Sequence, residues 1–300
     1  MATQARGIIF AMDAFVFVAV LFAAACHAGW NATIKGGLDP LATTVLISIG
    51  AAIVSLAFLP VTGLPAVAAW PWCAASVLIH LVYFGALIES YRAGDMGQVY
   101  PIARGSAPLM TAVATTVFID ERLGLLGWCG ILLLVAGVLL LSLRGGRDLA
   151  RLDRKAIGFA LFTAVTICAY SVVDGVGARL SGSANAYSVM LFVGIGPIMM
   201  IYALAYRGRE VIAAMGHHWG IGLAGGSLQL GSYGIAIWAM TVAPIAIVAA
   251  LRESSVLFGR GDRRRLPQGA VARRPRRRGA DDRRRIDLDP PVLNQVQTRD

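Results

Sequence analysis

Nine apolar stretches, at residues 10–30, 41–59, 68–88, 97–118, 125–143, 156–177, 186–206, 220–241 and 244–258, fill most of the chain up to Gly259. Each of the first eight approaches the ~20 residues that a helix needs to cross a hydrocarbon core. The ninth is short for that task. No water satisfies a stray amide in lipid, so segments of this kind close their own backbone hydrogen bonds as helices. Hydrophobic residues make up 57% of the chain and charged residues 15%, against roughly 25% charged in a soluble domain. The expectation is an all-α polytopic membrane protein. Asp13 lies inside the first stretch and no small-residue cleavage site follows it, which points to an anchor and not to a removable signal peptide.

One phrase occurs twice. Arg104 opens R-G-S-A-P-L-M and leads to F-I-D-E-R-L-G at Phe118 to Gly124; Arg252, 148 residues later, opens R-E-S-S-V-L-F. Pro-containing approaches precede both, V-Y-P-I-A-R and A-P-I-A-I-V-A-A-L-R. Trp30-Asn31 near the end of the first stretch parallels Val173-Asp174 near the end of the sixth. Five spans (1–143), a basic linker (144–155) and a second set (156–258) describe a duplicated chain. An odd number of spans per unit requires the two units to be inverted in the membrane, with a substrate site at their interface near the midplane.

With these motifs the chain resembles the drug/metabolite transporter superfamily, in the branch built from two EamA-type five-helix repeats. The resemblance rests on H-A-G-W-N-A-T-I-K (His27 to Lys35), Y-R-A-G-D-M-G-Q-V-Y-P-I-A-R-G-S-A-P (Tyr91 to Pro108), D-E-R-L-G and A-P-I-A-I-V-A-A-L-R-E-S-S-V-L-F (Ala243 to Phe258). It implies a ten-helix inverted repeat and a secondary transporter of small metabolites, often an exporter, working by alternating access. It further implies a multi-pass protein of the bacterial inner membrane without enzymatic activity. No paired nucleophile and base suggests an intramembrane enzyme, and the glycine pairs lack the G-K-[ST] of a nucleotide-binding loop. No cofactor and no metal site are expected. The partners expected are a small-molecule substrate, the lipid bilayer and a coupling proton, and no nucleic acid.

From residue 259 the composition changes. Residues 260–300 hold thirteen Arg and six Asp but neither Lys nor Glu, and they supply most of the net charge of +10. A diffuse basic field needs no guanidinium geometry and ordinarily mixes Lys with Arg. Arg codons shifted by one base become codons for Ala, Val and Gly, and shifted Asp codons give Ile, Met and Thr. Shifted in this way, the stretch from Arg260 to Val271 permits A-V-I-G-A-V-F-L-K-E-P-L. Its Phe falls at Leu266 and its Glu at Gly269, each 148 residues after Phe118 and Glu121. The expectation is a single-base frameshift near codon 259 that removes the tenth helix and part of the ninth, leaving an Arg-rich aberrant tail. The alternative reading of the whole chain is therefore a transport-inactive, frameshift-truncated member of the same family. A genuine polybasic tail, binding anionic head groups at about 1 kcal/mol per residue, is the competing account.

Arg104 and Arg252 lead the candidate site, because an arginine inside a spanning helix costs about 2.5–3.5 kcal/mol on insertion scales and marks a substrate path by default. In inverted halves the two meet at one cavity and hold a carboxylate or phosphonate through paired hydrogen bonds. Structural ion pairing is the other reading, with Glu253 beside Arg252 and Glu89 within reach of Arg104. Glu89 is expected to face inward, and Asp174 to serve as a proton-coupling acid or to lie at the interface. Trp30, Asn31, Tyr100, Gln98, Tyr83 and Gln229 are expected to line the path, with aromatic packing as the alternative for Trp and Tyr. His27 and His80 are expected to be hydrogen-bonded packing residues, and Cys26, Cys73, Cys129 and Cys168 small core residues. Pro101, Pro108 and Pro244 are expected to break or kink their helices. Loop charges on the N-terminal side number three (Arg6, Arg122, Arg179), against nine on the other: Lys35, Arg92, Arg144, Arg147, Arg151, Arg154, Lys155, Arg207 and Arg209. That imbalance places the N-terminus outside, whereas the family resemblance implies both termini in the cytoplasm.

Overall fold

Helix boundaries follow local chemistry in the computed structural model, which describes residues 12–34, 39–93, 96–145, 154–216 and 218–255. Asp39 caps the second helix by accepting the Ala42 amide at 3.0 Å, with Pro40 in the first helical position. Ser183 caps the seventh by accepting the Ala186 amide at 3.3 Å. Both are the short polar acceptors that satisfy otherwise orphaned first-turn donors. The fourth helix ends at a left-handed residue: Asp120 takes φ 55° and the Glu121 amide reaches back to the Thr115 carbonyl at 3.1 Å. Glycine is the usual occupant of that left-handed position, and aspartate one of the few alternatives.

The helices are α1 (Ala14–Ile34), α2 (Pro40–Thr62), α3 (Trp70–Ala93), α4 (Met96–Phe118), α5 (Leu125–Gly145), α6 (Arg154–Leu180), α7 (Ala184–Arg207), the short α8 (Glu210–Met215), α9 (Trp219–Val242) and α10 (Ile245–Arg252). No strand occurs among the described residues. Five helices, α1, α2, α3, α6 and α7, are long and apolar enough to cross a membrane. The helices α4 and α9 match them in length but carry more polar and glycine residues. Large apolar side chains such as Phe15, Phe22, Val61, Leu126 and Leu133 point outward, as the outer surface of a protein solvated by lipid requires.

Long helices interleave across the expected halves. The main packing pairs are α2 with α7, α3 with α6, α1 with α9, α2 with α9, and α4 with α6. Tyr187, Leu191, Ile195 and Met199 form one buried ridge of α7 at four-residue spacing, in a core shared with Leu41, Val45 and Leu46 of α2, the ridge-and-groove arrangement of packed helices. At α2 and α9 the backbones themselves meet. A Cβ on Gly50 would lie 2.0 Å from the Gly222 carbonyl oxygen, and one on Gly226 would lie 2.2 Å from the Ala51 nitrogen. Gly222 and Gly226 thus form a small-xxx-small contact of the kind that joins helices in lipid.

Helix α4 is unbroken through Pro101 and Pro108; its packing on α5 and α6 holds the segment helical despite the missing donors. Pro244 starts a helix, standing as the N-cap of α10. The Arg-rich tail expected from residue 259, with the hidden frame at Leu266 and Gly269, lies outside the described residues.

Candidate functional site

Seven helices meet around a small cavity of about 30 Å³. His27 and Trp30 of α1, His80, Tyr83 and Phe84 of α3, and Arg104 of α4 line one part of it. Tyr170 of α6, Phe192 of α7, Gln229 and Tyr233 of α9, and Arg252 of α10 line the rest. Helical spacing explains each group: 27 and 30, 80 with 83 and 84, and 229 with 233 are three or four apart and share a helix face.

Arg104 is only 2% exposed and is held on three sides. Its Nη1 donates to Glu253 Oε1 at 3.1 Å, and its Nη2 lies 3.0 Å from His27 Nε2 and 3.4 Å from Tyr83 Oη. A guanidinium only donates, so His27 must present an unprotonated Nε2 to it. The Glu253 partner, 149 residues away in sequence, joins the two halves of the chain. Ion pairs this deep hold only when geometry and further hydrogen bonds offset the loss of water, and here His27 and Tyr83 add those bonds.

Arg252 is placed differently. Its guanidinium carbon lies 4.6 Å from the centre of the Tyr233 ring, a cation–π contact. Its buried Nε has no hydrogen-bond partner among the described residues, nor has Oε1 of Gln229. Buried polar atoms are otherwise almost always paired, so the wall of this cavity carries both a donor and an acceptor to spare.

Behind Tyr233 lies Asp174, fully buried. Tyr187 donates to its Oδ1 at 3.0 Å and Tyr233 donates to its Oδ2. His80 stacks on Tyr170 at 4.4 Å and its Nδ1 lies 2.9 Å from the Ser76 carbonyl. The glycines after Asp174 make room for this arrangement. A Cβ on Gly177 would lie 2.6 Å from the Tyr187 ring, and one on Gly175 would lie 2.4 Å from Ile245.

Among the candidate residues, Arg104, Arg252 and Trp30 line one cavity, and Asp174 adjoins it through Tyr233. Tyr83 and Gln229 line it too, together with His27 and His80, which were expected only to pack. Asn31 does not line it; its amide donates to the His27 carbonyl at 2.8 Å within α1. Glu89 stands on α3 beyond the lining residues. The side chains of Gln98 and Tyr100 lie outside the described residues. Sequence reasoning missed Tyr170, Tyr233, Phe84 and Phe192. The available signal was spacing, since Tyr170 precedes Asp174 and Tyr233 follows Gln229 by four residues. No cluster of metal-ligating side chains occurs among the described residues.

The fold is that of an all-α polytopic membrane protein, with a buried cavity lined by two arginines between its helices. Residues 6–143 match the model of the EamA-like transporter family, in keeping with the drug/metabolite transporter motifs of that part of the chain. One crystal structure aligns over 84% of this chain and 98% of its own, with 19% identity and a TM-score of 0.51. At that identity it shows the fold alone. No curated protein matches.

Proposed function

We propose that the protein is a secondary transporter, working as an exporter, that carries a small anionic or zwitterionic metabolite through the cavity by alternating access. The supporting observation is Arg252: a buried guanidinium with an unpartnered Nε, lining the same cavity as the unpartnered side-chain oxygen of Gln229 and several aromatic rings. Arg104 is already matched by Glu253, so Arg252 is the arginine with capacity for a carboxylate or phosphonate. The packing of α1 on α9 and of α3 on α6 is the equivalence that an inverted duplication generates. On this reading 1–143 and 156–258 are the two repeats, and the bacterial inner membrane is the site of action.

The coupling ion on this reading is a proton, carried by Asp174. The groups facing that carboxylate are Ser76, His80 and Cys73 of α3, Tyr187 of α7 and Tyr233 of α9, with Arg252 of α10 behind Tyr233. Flux in proteoliposomes, with a panel of amino acids, organic acids and phosphonates, tests the reading. Arg252→Ala is expected to abolish transport of the anionic substrate, and Asp174→Asn to abolish proton-driven accumulation while sparing substrate exchange. Undiminished flux in Arg252→Ala overturns the anion site.

A second reading is favoured by the composition of residues 260–300: the chain as written is transport-inactive and its frame-restored counterpart transports. DNA across codons 255–265 is expected to hold a one-base change that reopens an apolar frame. Flux from the chain as written would overturn this reading.

A further inference from the structure

Outside the cavity, one buried charged cluster has no part in substrate contact. The α4–α5 turn delivers Glu121 across to the second half, where Oε1 and Oε2 both accept the Ile245 amide, at 3.1 and 3.0 Å. Helix α10 has no side-chain cap of its own at Pro244, so Glu121 supplies one from another helix pair. Arg179, at the end of α6, donates to Glu121 Oε1 at 2.6 Å, to the Met240 carbonyl at 2.9 Å and to the Ala243 carbonyl at 3.2 Å. One ion pair therefore fastens the α4–α5 turn, the end of α6 and the α9–α10 turn together. The face is the one where the α2–α3 and α6–α7 turns also meet, through the Ala66 amide and the Ser181 carbonyl at 3.0 Å.

We propose that Glu121 and Arg179 form the gate that seals the cavity on this face and must part when the cavity opens there; the inference rests on the transport reading above. Three observations carry it. The tie joins the halves that alternating access must separate. Arg179 keeps 30% of its side chain exposed, whereas both partners of Arg104–Glu253 are under 5%, so parting returns one charge directly to water instead of stranding it. The tie also grips the first residue of α10, the helix that carries Arg252 two turns further on, and Ile245 seats against Gly175 beside Asp174. Release of Glu121 thus frees the helix that presents the substrate-facing arginine. On the opposite face Arg207 pairs with Asp39 at 2.5 Å, again across the halves and partly exposed, the counterpart such a gate requires.

The test uses the full chain with Cys26, Cys73, Cys129 and Cys168 replaced and one cysteine introduced by Gln229→Cys. Membrane-impermeant maleimide is applied from each face of oriented vesicles. Glu121→Gln and Arg179→Lys are expected to raise labelling from the α4–α5 face by about fivefold or more, without change from the other. Asp39→Asn is expected to do the reverse. Arg179→Lys keeps the charge but cannot bridge a carboxylate and two carbonyls, so it serves if Glu121→Gln fails to fold. Unchanged labelling in a folded variant, or an equal rise from both faces, overturns the gate. Flux is read in chains that keep Gln229: its absence there, with one-sided labelling of the Gln229→Cys chains, defeats the transport reading alone, and intact flux with unchanged labelling defeats the gate alone.

Discussion

The seam between α2 and α9 and the wall formed by α4 and α10 both join helices in a medium that gives no hydrophobic drive for association, and they do so by opposite means. At the seam Gly50, Gly222 and Gly226 remove side chains until backbone meets backbone, and dispersion holds it. At the wall Arg104 and Glu253 meet through long polar side chains. The seam has one arrangement, because a shift of an ångström forfeits its contacts. The wall has several, because an arginine can exchange one acceptor for another. The difference separates the frame of the protein from its proposed working surface.

Filling the seam is expected to have the largest effect. Gly226→Leu places atoms where the α2 backbone already lies and should cost more than about 4 kcal/mol, read as loss of a folded, monodisperse protein in detergent. Next comes the wall: Arg104→Ala strands Glu253 and should cost about 3–5 kcal/mol. Adding Glu253→Gln should recover part of that in a thermal unfolding series, and no recovery would show the pair to be uncoupled. Tyr233→Phe keeps the ring under Arg252 but removes a donor to Asp174, and should cost about 1–3 kcal/mol. Its effect on flux should exceed that of Gly177→Ala, which displaces Tyr187 by overpacking at a similar cost. The smallest change is a gain: Asp120→Gly relieves a left-handed residue and should raise stability by about 1 kcal/mol, leaving Glu121 in place.

The frame was more legible than the working surface, for reasons visible in single residues. Apolar runs of spanning length show themselves to any hydropathy reading, and Arg104, Arg252 and Asp174 stand out because charge inside such runs is costly. Glu253 as the partner of Arg104 was not legible, since the contact joins residues 149 apart and Glu89 was nearer in sequence. Tyr170 and Tyr233 were hidden because a tyrosine in an apolar helix looks the same whether it packs or faces a cavity. Pro101 and Pro108 do not interrupt α4, because a local rule about missing donors is outweighed by tertiary packing. Glu121 lay in a motif used only for recognition, and nothing in D-E-R-L-G announces that its carboxylate caps a helix from the other half.

The cavity between the two arginines has a kinetic consequence. A space of about 30 Å³ admits about one water molecule, so a metabolite makes its own room by parting helices. Such collective motions take on the order of microseconds to milliseconds. On the transport reading, turnover is therefore bounded by helix movement and not by diffusion through a pore.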